Sequence, residues 1–117
     1  MTLKKITFDP EMISLSRRSI NQFGDGVQAM KAIEEFSECI DAIAKASKPT
    51  VTREETLEAH ARLVDETVDA WIVVHHLVNI AGVKYCEERL QEKLTRLRRL
   101  LAGRFSVVKP NEKEKTE

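Results

Sequence analysis

Two cysteines in 117 residues, Cys39 and Cys86, are too few for a disulfide framework and read as reduced thiols of a cytoplasmic protein. Aromatic residues make up only 5 % of the chain while Leu, Ile, Val and Ala abound, a mix that favours helices packed on helices. Charge of one sign is missing too. Nineteen Lys and Arg balance nineteen Asp and Glu, so there is no overall electrostatic drive toward nucleic acid or an acidic membrane, and neither is expected as a partner. No hydrophobic run is long enough to span a bilayer. The most apolar stretch, "AWIVVHHLVNIAG", carries two His and one Asn and reads as a buried helix segment. The opening "MTLKKITFDP" has no apolar region of the kind a secretory signal needs.

Hydrophobic residues make up 42 % of the chain, enough for a core. Asp9 and Pro10 in "FDPEM" start a first helix that runs to about Gln22, and "FGDG" breaks it with two glycines. A second helix is expected from about Val27 to Ala46, with Ile33, Phe36, Ile40 and Ile43 on one side at helical spacing. Pro49 ends it. "TREE" is a capping box that opens a third helix, which runs to Ala81 and stops at Gly82. A fourth covers about 84–102, with Leu90, Leu94, Leu97 and Leu101 near heptad spacing. Residues 1–103 are read as one all-α domain, and 104–117 as a charged, disordered tail.

The chemistry concentrates in two acidic stretches, "EEFSE" at 34–38 and "ETVD" at 66–69. On the second helix Glu34 and Glu38 point nearly opposite the isoleucine side, and Glu35 sits at its flank. Taken alone, that is an ordinary solvated face. On the third helix Glu66 and Asp69 share a stripe with Ala59, Ala70, Val73, Leu77 and Ile80, while Val64, Val68, Trp71, His75 and Val78 line the other side. A helix apolar on both sides is sandwiched, so its carboxylates lead into a buried stripe. There an unpaired carboxylate shifts its pKa or finds a cation, either a side chain such as Arg62 or a lysine, or a metal ion. Glu35 with Glu38, and Glu66 with Asp69, are i, i+3 pairs that converge on one point if the helices run antiparallel. Hard oxygen ligands without His or Cys favour Mg²⁺, or Mn²⁺, over zinc.

"EEFSE" followed by "ETVD" resembles the E-E-x-x-E … E-x-x-D pattern of the MazG-like all-α nucleoside triphosphate pyrophosphohydrolases, phage and bacterial type. Phe23, Gly24, Gln28 and Ala32–Glu35 resemble that family's W-G…Q…A-I-E-E run, with Phe in place of Trp. "EKLTRLRRL" resembles its K-L-x-R-L helix. The likeness covers roughly residues 20–102. It implies cleavage of an NTP or dNTP between the α and β phosphates, with Mg²⁺ held by Glu35, Glu38, Glu66 and Asp69. Glu34 or Glu38 would be the general base, Lys93 and Arg96 would hold phosphates, and Phe23 and Gln28 would form part of the base pocket. Lys93 and Arg96 fit equally well as solvated positions beside the leucine seam. The expected architecture is a small four-helix-type bundle completed by oligomerisation, as a homodimer or homotetramer. The rival reading is a non-catalytic helical oligomerisation or regulatory protein whose acids pair with Arg62, Lys31 or Lys45.

Two other chemistries find no support in the residues. The positions three before His60, His75 and His76 are not Glu, which excludes a ferritin-like di-iron pattern. "GDG" lacks the G-K-[ST] of a phosphate loop. His75 falls on an apolar side and reads as a packed core histidine.

Overall fold

The computed structural model describes residues 4–50 and 52–103, and among them every regular element is helical. Four helices follow in order: α1 (Pro10–Phe23), α2 (Asp25–Ala46), α3 (Arg53–Ala81) and α4 (Val83–Gly103). The chain divides into two compact units, Phe8–Val83 and Met1–Thr7 with Lys84–Glu117. The tail expected at 104–117 lies outside the described residues. No helix among the described residues is long and apolar enough to cross a membrane.

The caps form as the sequence dictates. An Asp9 carboxylate oxygen accepts from Met12 N at 3.0 Å, with Pro10 at the first helical position. Thr52 Oγ1 accepts from Glu55 N at 3.1 Å. Gly24 alone makes the first break, at φ 91°, a conformation that favours glycine. The second glycine of "FGDG", Gly26, lies inside α2, which therefore starts two residues earlier than expected.

In the first unit α3 is the spine, and α1 and α2 both pack on it. Arg62 reaches Asp41 while Glu66 lies beside Glu38, so chain order reverses between the partners and α2 and α3 run antiparallel. The buried face of α2 corrects the expectation. It is Gln28, Ala32, Glu35 and Ala42, whereas Ile33, Ile40 and Ile43 are exposed. Two alanines at this seam let the helix axes approach closely, and the bulkier isoleucines are left on the far side. Glu35, expected at a flank, is thereby buried.

α1 is fastened to the C-terminal half of α3 by polar groups. Ser16 Oγ and His76 Nδ1 lie 2.6 Å apart and both residues are buried. Asn79 donates to the Ile13 carbonyl at 3.1 Å and accepts from Arg17 at 3.0 Å. His75 is the core histidine expected, with Phe8 and Trp71 edge-on to its ring. Burial, with a smaller push from His75, holds His76 below the ordinary histidine value, so its neutral form is favoured. Removing the partner would leave a buried ring nitrogen unsatisfied. Ser16→Ala is therefore expected to cost about 1–3 kcal/mol at pH 7, read from denaturant melts. Because the folded state binds the His76 proton less tightly than the unfolded chain, its contribution is full above the ordinary histidine pKa. It is lost as pH falls through the depressed folded value.

The second unit holds α4, with the lead-in segment against its first half. Ile6 N donates to Gln91 Oε1 at 2.9 Å. Arg89 pairs with Glu92. No α4 residue is fully buried.

Candidate metal centre

Three carboxylates meet where α2 and α3 pack. Glu35 and Glu38 are one turn apart on α2, so both project beside the same stretch of α3, and Glu66 comes from α3 itself. One oxygen from each lies within 4.8 Å of the others. Adjacent ligand oxygens on a six-coordinate Mg²⁺ stand roughly 3 Å apart, so small side-chain rotations close the set around a cation. Glu35 is buried, while Glu38 and Glu66 are half-buried.

The electrostatics of the group are unresolved by the protein alone. Lys31 Nζ is 3.3 Å from Glu35 Oε1, but Glu35 Oε2 and Glu66 Oε2 are buried with no hydrogen-bond partner among the described residues. Burial first, and then the charges of Glu38 and Asp69, push the Glu66 carboxyl above the ordinary carboxylate range. Arg62 opposes this only weakly, since its guanidinium is committed to Asp41 at 2.9 Å. Two buried oxygens without partners, in a pocket of like charge, are what a bound cation would satisfy. The residues present fit Mg²⁺ or Mn²⁺.

The other expected site residues separate into groups. Asp69 is exposed and contributes no atom to the triad, although its charge still bears on Glu66. Glu34 is exposed on the outer side of α2, beside Met30, Lys31 and Ile33. Gln28 is buried on the same α2 face as Glu35, two turns before it, and Phe23 ends α1 with 54 % of its surface exposed. Lys93 and Arg96 are exposed on α4. Of the cations offered as structural partners, Lys31 holds Glu35, but Lys45 and Arg62 both go to Asp41. Asp41 is accordingly held below the usual carboxylate value, first by its hydrogen bond from Arg62 and then by that from Lys45. Sequence reasoning passed over this pair because Asp41 lies outside both acidic stretches.

Comparison with family models, curated proteins and solved structures finds no match for this chain.

Proposed function

We propose that this chain is a Mg²⁺-dependent nucleoside triphosphate pyrophosphohydrolase, cleaving an NTP or dNTP to the monophosphate and pyrophosphate. The observation that carries the reading is the Glu35–Glu38–Glu66 triad with its two partnerless buried oxygens. The MazG-like pattern of "EEFSE" and "ETVD" supplies the reaction class. Glu35, Glu38 and Glu66 would hold the ion, with Asp69 a further carboxylate on α3 whose charge bears on Glu66. When bound, Mg²⁺ supplies charge neutralisation and polarisation of phosphate oxygens. The chain's own part is to fix the carboxylates on two rigid helices and to orient the attacking water.

Glu38 is better placed than Glu34 to take the water's proton, because it is half-buried within the triad while Glu34 faces away. Lys93 and Arg96 are the candidate phosphate contacts, and Phe23 and Gln28 the candidate base contacts. The enzyme would work in the cytoplasm as a homodimer or homotetramer.

The rival, a non-catalytic oligomerisation or regulatory protein, has one observation in its favour, the Lys31–Glu35 pair. That pair engages only one Glu35 oxygen, and among the described residues Glu66 has no ion-pair partner.

The test is product analysis. A panel of NTPs and dNTPs is incubated with Mg²⁺ and assayed for pyrophosphate, orthophosphate and monophosphate. Pyrophosphate with monophosphate, lost in Glu38→Gln, is the expected result. Orthophosphate would reassign the cleaved bond, and no turnover by a folded chain would favour the rival.

A further inference from the structure

The triad does not stand alone on the α2–α3 seam. One turn further along, Asp41 follows Glu38 on α2 and Arg62 precedes Glu66 on α3. Because the two helices run antiparallel, both steps lead the same way, and Arg62 Nη1 meets Asp41 Oδ2 at 2.9 Å. Lys45 Nζ comes to the same oxygen at 3.3 Å. Three and four residues of helix rise by about 5 and 6 Å, so this cluster lies one turn from the carboxylates. A phosphate chain that begins at the triad extends this far along the seam.

The two clusters are opposite in charge. With its three glutamates ionised, the triad and Lys31 carry two net negative charges, which a divalent ion cancels. Asp41 between Arg62 and Lys45 leaves one net positive charge. Asp41 accepts from a single guanidinium nitrogen and is the only hydrogen-bond partner of Arg62 among the described residues. A guanidinium has five N–H donors in a rigid fork that matches phosphate oxygens. The Arg62 side chain keeps 36 % of its surface exposed, and an ion pair so open to solvent contributes little to stability. Arg62 and Lys45 also share the triad's compact unit, whereas Lys93 and Arg96 belong to the other.

We propose that Arg62 is a phosphate-binding arm of the metal centre. Its ligand is the polyphosphate of the nucleotide, and a phosphate next to the one held at the triad takes the free side of the guanidinium. Asp41 holds the arm in place, and Lys45 offsets the Asp41 charge. The inference rests on the metal-centre reading above and adds to it a substrate contact from the same two helices.

The test is calorimetric titration of the full chain with pyrophosphate in excess Mg²⁺, with Mn²⁺ binding followed separately by electron paramagnetic resonance. Arg62→Gln should bind pyrophosphate at least about tenfold more weakly, the scale of a lost charged hydrogen bond. Asp41→Asn still accepts from Arg62 but no longer offsets its charge, so it should bind at least about twofold more tightly. Lys45→Gln changes the net charge by as much as Arg62→Gln and should stay within about threefold of the unsubstituted chain. All three should keep their helicity and bind Mn²⁺. A merely structural Arg62–Asp41 tie predicts that Arg62→Gln and Asp41→Asn weaken pyrophosphate binding alike, and that result would overturn the proposal. So would equal losses in Arg62→Gln and Lys45→Gln, the mark of a diffuse field in place of a contact. An unsubstituted chain that binds Mn²⁺ but no pyrophosphate would overturn this inference alone, and one that binds no Mn²⁺ would overturn the metal centre as well.

Discussion

Glu66→Gln is expected to lower Mg²⁺-dependent turnover by about 100-fold or more, the scale of losing one ligand from a catalytic ion. The same substitution should raise the thermal stability of the metal-free chain. These opposite signs follow from one cause. Burial and the charges of Glu38 and Asp69 all oppose the ionised form of Glu66. A neutral amide of the same shape removes that opposition and removes a ligand. A structural ion pair predicts the reverse, since losing a paired carboxylate would destabilise the fold. Steady-state kinetics and calorimetry on one pair of proteins separate the two accounts.

The second large effect is a pH dependence that the ion inverts. Without metal, the folded chain binds the Glu66 proton more tightly than the unfolded chain does. Its stability contribution is therefore full below the ordinary carboxylate pKa of 4.5 and is lost as pH rises through the elevated folded value. His76 acts in the opposite sense below neutrality, so Glu66→Gln serves as the control that isolates the carboxylate. With Mn²⁺ or Mg²⁺ present, the ionised form of Glu66 becomes the stable one. A metal at a hundred times its Kd contributes about 2.7 kcal/mol, which in a domain of this size moves Tm by on the order of 10 °C. Melting curves between pH 4.5 and 8, with metal and with chelator, should diverge progressively as pH rises. Curves that superimpose at every pH would remove the cation from the account.

Much of this architecture was legible in the residues, and the exception is informative. Helix limits were set by local chemistry that a sequence carries on its face: Asp9 and Thr52 as caps, Gly24 and Gly82 as stops. The double apolar character of α3 is equally plain, but the sandwich expected from it is covered on one side only: Val64, Val68 and Trp71 are 48, 52 and 50 % exposed. The expected buried face of α2 fails because hydrophobicity ranks isoleucine above alanine, whereas close helix approach selects for small side chains. Ala32 and Ala42 at seam spacing on either side of Glu35 were the available signal. Recognising them would have put Glu35 in the interior from the outset. The Ser16–His76 and Arg62–Asp41 pairs lie 60 and 21 residues apart in the chain, and nothing local announces either. For the site itself the sequence predicts four converging carboxylates. Three of them meet, and Asp69 is exposed beside them.

The central claim is that Glu35, Glu38 and Glu66 form a cation site, and titration of Mn²⁺ into the metal-free protein, followed by electron paramagnetic resonance, tests it most directly. One bound ion per chain is expected, with binding that weakens as pH falls toward 4.5 and is lost in both Glu35→Gln and Glu66→Gln while helicity is retained. No binding at millimolar Mn²⁺, or equal binding by the unsubstituted chain and both variants, would contradict it.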